Sequence, residues 1–399
     1  MKKVLFICSL YHPHIGGIET MITELACFYK KQGIESIVLT KKWPLSLEEN
    51  GEFRDVKIYR VLSARTEDEF LEIINWIKIN ELKIKADIIH IIGARRPLPL
   101  IGLLLSHYWN VPLVSTIAGS EIPNTGDSQT ETVWNEGKDL VKPVLESSDV
   151  VTCVSKALEK DLRKVVPNLK SVRTIYAGID IELINSIICT EIEKNYIVSL
   201  RRLIPSKGID VLINAFKILT EKYPNMKLII AGEGSEEENL KNLVIKLNLE
   251  NEVKFIGTVS LTSAVSLLKG AVCTVVPSLS EGGSLVNVEA QAALCPVIAS
   301  RVGGIPEYVQ DGVSGLLFES GNDKELAEKL KLIIKNSLLK DKLIKGGVKH
   351  AEKFNWSNLG PQYIDLYKEI IKIRKSKLFV PWSNLTSKLW SNLIKKNLF

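Results

Sequence analysis

Short apolar runs alternate along the chain with longer stretches of helical periodicity. VLFICS (4–9) precedes a helical stretch beginning near Gly17, and SIVLT (36–40), KIYRVL (57–62), ADIIHIIG (86–93), VPLVSTI (111–117) and DVVTCVS (149–155) continue the series. These runs are apolar on both faces rather than alternating, as expected of parallel strands covered on both sides. Joined by helices, they predict right-handed βαβ crossovers and a doubly wound sheet. The polar stretch NSIICTEIEKN (185–195) interrupts the pattern, which restarts with YIVSL (196–200), KLIIAG (227–232), VKFIG (253–257), AVCTVVP (271–277), CPVIAS (295–300) and GLLF (315–318). The expected fold is therefore α/β, with two Rossmann-like doubly wound domains facing across a cleft, at 1–190 and 191–355. A helix over 356–378 is expected to pack back on the first domain, followed by a basic amphipathic tail, 379–399.

Composition agrees with two ordinary cores: 399 residues, 45% hydrophobic and 25% charged. The six cysteines are scattered and lack CxxC spacing, so they read as reduced thiols in a cytoplasmic protein. The N-terminal apolar run is too short for a signal peptide and reads as a first strand. No stretch approaches the roughly 20 apolar residues that span a bilayer. Of the net charge of +6, a surplus of +7 lies between Lys368 and Phe399, leaving −1 for the rest. A nucleic-acid-binding reading thus loses its support. The tail, with Trp382, Leu385, Leu389 and Leu393 on one helical face and lysines at its edges, suits an anionic membrane surface; packing on the first domain is the other reading.

In doubly wound sheets, ligands bind beyond the carboxyl ends of the strands. Four loops there carry candidate chemistry. In YHPHIGGIE (11–19), Gly16 and Gly17 let backbone approach a ligand at a helix N-terminus, although such turns are also ordinary scaffold. In SLRRLIPSKG (199–208), Arg202 and Lys207 would suit a phosphate, although basic residues before a helix are also ordinary surface. In AGEGSEEENL (231–240), Gly232 and Gly234 close a strand, and Glu236, Glu237 and Glu238 suit the following helix by its dipole alone. In SEGGSLVNVEA (280–290), Gly282, Gly283 and Ser284 open a helix that offers amides to a diphosphate. Glu281 lies in the loop before that helix and Glu289 within it, each placed to accept bonds from sugar hydroxyls.

In order, HIGGIE, VSLRRLIPSKGIDVLINAF, LIIAGEG, VKFIG, SEGGSLVNVEA and SRVGGIPEYVQDGVSGLLF resemble the retaining, nucleotide-sugar-dependent glycosyltransferases of family four, also called glycosyl transferases group 1. The resemblance runs from residue 1 to about 375 and implies the GT-B fold. It implies that Glu281 contacts donor-sugar hydroxyls, that Glu289 contacts the ribose, and that Arg202 and Lys207 neutralise the diphosphate. Gly16 and Gly17 would close over the donor, and amides of Gly283, Ser284 and Leu285 would complete its cradle. Gly232, Glu233 and Gly257 would border the base, near the Phe255–Val259 strand end. No metal and no cofactor are expected. Arg95, Arg96 and Glu121 would lie on the acceptor side.

The implied activity is retaining transfer of a sugar from a nucleotide-sugar, a UDP-sugar favoured over a GDP-sugar, to a saccharide or lipid-linked hydroxyl. Surface polysaccharide or glycolipid assembly at the inner face of a membrane is the expected setting. The chain departs from the family at TIAGSE (116–121), where Ala118 replaces a histidine and Glu121 an aspartate, with Ser9 and His14 as candidate substitutes. It departs again at EGGS, where an aromatic residue often follows the first glycine. Ala118 motivates an alternative, a non-catalytic partner subunit. A sugar-nucleotide epimerase is the third reading. The five histidines have no metal-ligand spacing, and His90 is expected to be a satisfied core residue.

Overall fold

The computed structural model describes residues 1–63, 66–93, 98–119, 121–123, 128–190 and 195–375. Arg95, Arg96 and the basic tail from 376 onward therefore lie outside the described residues. The chain forms two compact units, one from 1–178 with the helix that follows residue 355, the other from 179–355.

The first unit contains an eight-stranded sheet. Its strands are β1 (Lys3–Ile7), β2 (Glu35–Lys41), β3 (Asn50–Phe53), β4 (Val56–Val61), β5 (Ile88–Ile92), β6 (Leu113–Ile117), β7 (Val150–Cys153) and β8 (Val172–Thr174). Their spatial order is β3-β4-β2-β1-β5-β6-β7-β8. All pairs are parallel except β3 with β4. The apolar runs are buried as a parallel sheet requires: Val4 to Ile7 and Ile88 to Ile92 are closed to solvent. The second unit has six parallel strands, β9 (Tyr196–Leu200), β10 (Lys227–Ala231), β11 (Val253–Phe255), β12 (Cys273–Val276), β13 (Val297–Ser300) and β14 (Leu316–Phe318). Their order is β11-β10-β9-β12-β13-β14. Ile197, Phe216, Ile230, Val275, Ile298 and Phe318 belong to its core.

The strand order reverses between β1 and β5 in the first unit and between β9 and β12 in the second. Loops leaving the two strands on either side of such a reversal diverge and open a crevice. The helices differ in how they are capped. Thr66, Ser155, Asp180, Ser260 and Asn322 each accept a first-turn amide with their side chains. The helices Gly17–Lys31 and Leu285–Ala292, which start at the reversals, begin at Gly16 and Ser284 without a side-chain cap.

The division at 178/179 falls earlier than the expected 190/191. The reason is the short helix Ile181–Ser186, which packs on Leu285–Ala292, while the Ile179 amide donates to the Phe354 carbonyl at 2.8 Å. The polar stretch near 190 therefore follows the crossing instead of marking it.

The helix Trp356–Lys375 belongs to the first unit. Trp356 Nε1 donates to buried Glu24 at 2.8 Å, and Glu369 receives a two-pronged contact from Arg173. Gly360 admits the Phe28 ring, which would lie 2.2 Å from a Cβ at that position. His90 is the core residue expected of it. Its ring nitrogens bond Tyr367 Oη and Thr116 Oγ1, both at 2.6 Å, and Thr116 passes the chain to Thr152. Burial pushes its pKa down to about 3, so the imidazole is neutral at physiological pH. Among the described residues no helix is long and apolar enough to cross a membrane.

Candidate active site

The second unit builds its site from the loops after β9 and β12, the strands flanking the reversal. After β9 the chain turns through the 3-10 segment Pro205–Lys207 into Gly208. Gly208 has φ +62°, and a Cβ there would lie 2.2 Å from the Pro277 carbonyl oxygen of the β12 loop. Only glycine lets the two loops lie this close. The amides of Leu279 and Ser280 reach back to the Ser206 carbonyl, at 2.9 and 3.3 Å.

This closeness brings Lys207 onto Glu281. Lys207 Nζ donates to Glu281 Oε2 at 2.9 Å, and Ser278 Oγ donates to the same oxygen at 3.2 Å. A second cation joins them, and it is Arg201 rather than Arg202. Arg201 Nη2 pairs with Glu281 Oε2 and also donates to Ser278 Oγ at 2.8 Å, while Nη1 donates to Ser284 Oγ at 3.3 Å. The side chains of Arg201, Lys207 and Glu281 are 8%, 12% and 11% exposed, so their charges meet with little water between them. Arg202 is exposed beside this cluster.

Burial alone would raise the Glu281 pKa, but Lys207 and Arg201 outweigh it and hold the carboxyl at about 2. Burial lowers the Lys207 pKa; Glu281 opposes that shift, and Arg201 and Arg202 add to it. Two buried cations thus share one carboxylate, a surplus of positive charge. Glu289, within the helix Leu285–Ala292, is half-buried, and burial pushes its pKa up to about 7, with Arg201 pulling the other way. The cluster sits at the uncapped start of Leu285–Ala292, whose first turn carries no acidic residue. Arg201 Nε, Ser280 Oγ and both amide atoms of Asn287 are buried there without partners among the described residues. A crevice with surplus positive charge, an uncapped helix start and unpaired polar atoms fits an oxygen-rich anion.

Neighbouring loops buttress the cluster. Gly303, at φ +51°, would bring a Cβ to 2.0 Å from the Glu281 carbonyl oxygen, and the Gly304 amide donates to that oxygen at 3.0 Å. A Cβ at Gly283 would meet the Tyr308 ring at 3.0 Å, so an aromatic from the following motif occupies that neighbourhood. Gly282 and Ser284 are buried and Leu285 is the first helical residue. At Gly232, φ +141°, a Cβ would lie 1.9 Å from the Arg201 carbonyl oxygen. Gly232 donates to the Gly257 carbonyl at 2.7 Å, and Glu233 Oε1 accepts from Thr258 N at 3.3 Å. These three residues hold adjacent loop backbones together.

In the first unit, Gly16 caps the helix in extended conformation with Glu19 folded over it, and among the described residues nothing stands within 4 Å of where a Cβ at Gly17 would be. His14 Nδ1 contacts Glu19 at 3.1 Å. Glu121 is buried and turned inward, accepting the amides of Ala118 at 3.3 Å and Gly119 at 2.6 Å. It holds the turn that carries Ala118.

Residues 15–183 match the family described as Glycosyltransferase Family 4, and residues 188–350 match Glycosyl transferases group 1. An uncharacterized glycosyltransferase of Methanocaldococcus jannaschii is 32% identical over 93% of this chain and 99% of its own. Among solved structures, a sucrose-phosphate synthase from Thermosynechococcus elongatus is similar with TM-score 0.77 at 21% identity, covering 94% of this chain and 100% of its own. Anabaena HepE in complex with UDP-glucose has TM-score 0.74 at 20% identity, covering 92% and 100%.

Proposed function

From the premise that the chain belongs to the glycosyl transferases group 1 of glycosyltransferase family 4, a family of GT-B fold, we propose that it transfers a sugar from a nucleoside-diphosphate sugar to a hydroxyl acceptor with retention of configuration. The observation that carries the donor class is the surplus positive charge of Arg201 and Lys207 on Glu281 at the uncapped helix start. Such a site lowers the barrier where charge develops, on the leaving diphosphate.

In this reading the bond between the anomeric carbon and the diphosphate oxygen breaks, and its electron pair leaves with the nucleotide. The acceptor oxygen bonds the anomeric carbon on the same face, and its proton passes to the departing phosphate oxygen. Lys207, with Arg202 beside it, stabilises that phosphate without a metal ion. Glu281 and Glu289 address hydroxyls. HepE, solved with UDP-glucose, supports a UDP-sugar as the first donor to test. A saccharide or lipid-linked acceptor in surface polysaccharide or glycolipid assembly, at a membrane surface, completes the proposal.

The test is thermal stability against UDP, GDP, ADP, CDP and dTDP. A ligand at 100 times its Kd adds about 2.7 kcal/mol. A shift with one nucleotide is expected; no shift with any of them overturns the donor reading. A second reading, a non-catalytic partner, rests on Ala118, which offers the site no polar side chain. Donor-dependent turnover by the native chain would eliminate it.

A further inference from the structure

Arg201 supplies charge to the reading above but takes no step in it, and its guanidinium is held by three side chains. Its amide donates to the Ala231 carbonyl at 2.9 Å, and its carbonyl lies under Gly232. Its guanidinium then bridges three partners, Ser278, Ser284 and Glu281. A planar fork reaches all three at once, whereas an ammonium is a single point of charge. Lys207 reaches one of these, Glu281, at the oxygen that Arg201 already holds.

We propose that Arg201 is a positioning residue which neutralises and holds Glu281 so that Lys207 is released to the leaving diphosphate. This rests on the donor-site reading and deepens it. Glu281 is one buried anion, and with Lys207 as its sole partner the pair would be neutral and locked. A diphosphate arriving there would have to compete with the carboxylate for the same ammonium, and would be repelled by it. With Arg201 fixed to Glu281 by the two serines, the carboxylate is matched before the donor arrives. The charge of Lys207 is then surplus, and its flexible stem can follow the phosphate. Glu289 also lies within the electrostatic reach of Arg201, so one guanidinium serves both carboxylates of the motif.

The experiment is a double-mutant test read by the affinity of the five nucleoside diphosphates of the panel. Arg201→Gln is expected to weaken the diphosphate that binds the native chain at least tenfold. Arg201→Gln combined with Glu281→Gln is expected to recover most of that loss, because the neutral amide no longer holds Lys207. A merely structural role for Arg201 predicts no recovery, since the Glu281→Gln change does not rebuild the bridge to Ser278 and Ser284. Native-like affinity of Arg201→Gln, or a double variant as weak as the single, overturns the proposal. If Arg201→Gln does not fold, Arg201→Lys, which keeps charge but not the fork, is paired with Glu281→Gln in the same way. Absence of diphosphate binding by the native chain overturns instead the donor reading itself.

Discussion

Glu281 and Glu289 are eight residues apart in one motif, yet the protein holds them in opposite electrostatic states. Glu281 sits near 2 because two cations share it; Glu289 sits near 7 because burial is not matched by a comparable partner. Their linkage to folding has opposite sign. For Glu289 the folded state holds its proton up to a higher pH than the unfolded state, so stability is present below about 4.5 and falls as pH rises toward 7. Glu289→Gln is therefore expected to raise stability at pH 8 by up to about 3 kcal/mol and to flatten that fall, read from denaturant melts across pH. For Glu281 the stability is present above about 4.5 and is lost as pH falls toward 2, so Glu281→Gln removes an acid-side loss instead. Lys207→Ala is expected to weaken nucleoside diphosphate binding roughly 10- to 100-fold, the worth of about 1.5–3 kcal/mol for a charged hydrogen bond. Titration calorimetry checks it; unchanged affinity would move the anion elsewhere. The sequence showed Lys207 and both carboxylates, but it could not show which of two adjacent arginines turns inward. Successive side chains leaving a strand point to opposite faces, and nothing in the letters Arg-Arg says which face holds Glu281.

The strands were legible for a physical reason: buried on both faces, they are continuous apolar runs that stand out from the helical periodicity. The two strands that escaped notice lack that property. NGEF of β3 is a polar antiparallel edge, and β8 is three partly exposed residues. Loops posed a different difficulty, because glycine marks a ligand approach and a backbone crossing with the same letter. Gly232 is explained by the Arg201 carbonyl and Gly208 by the Pro277 carbonyl, each a close approach of two loops. Gly303 is the most informative to change. Alanine there pays for a left-handed φ and pushes a Cβ against the carbonyl of Glu281, two ångströms away. Gly303→Ala is expected to cost about 1–3 kcal/mol of stability and to weaken binding of the nucleotide-sugar more than that of the bare nucleoside diphosphate, as the displaced Glu281 no longer meets the sugar hydroxyls it addresses. A variant that loses stability but binds normally would show that the buttress does not position the carboxylate.

The two units are sequential in the chain except at one point, where the last described helix returns to the first. Within that unit Trp356, Leu359, Tyr363, Leu366, Tyr367 and Ile370 are buried. Each such side chain contributes roughly 1.5–3 kcal/mol on burial, so together they are comparable to the roughly 5–15 kcal/mol that holds a whole domain folded. Removing the helix would also strip His90 of Tyr367 and Glu24 of Trp356, leaving polar groups buried without those partners. A chain ending at Asn355 is therefore expected to lose the first unit's cooperative transition while the second, 179–355, still melts as a unit. A chain ending at Lys375 keeps both, because its docking residues all precede that point. Differential scanning calorimetry of the two truncations separates these outcomes. If the chain ending at Asn355 keeps both transitions, the first sheet is self-sufficient and the returning helix is a late addition to a finished core. If it loses one, the C-terminal segment completes the N-terminal fold, and the second unit can be studied without it.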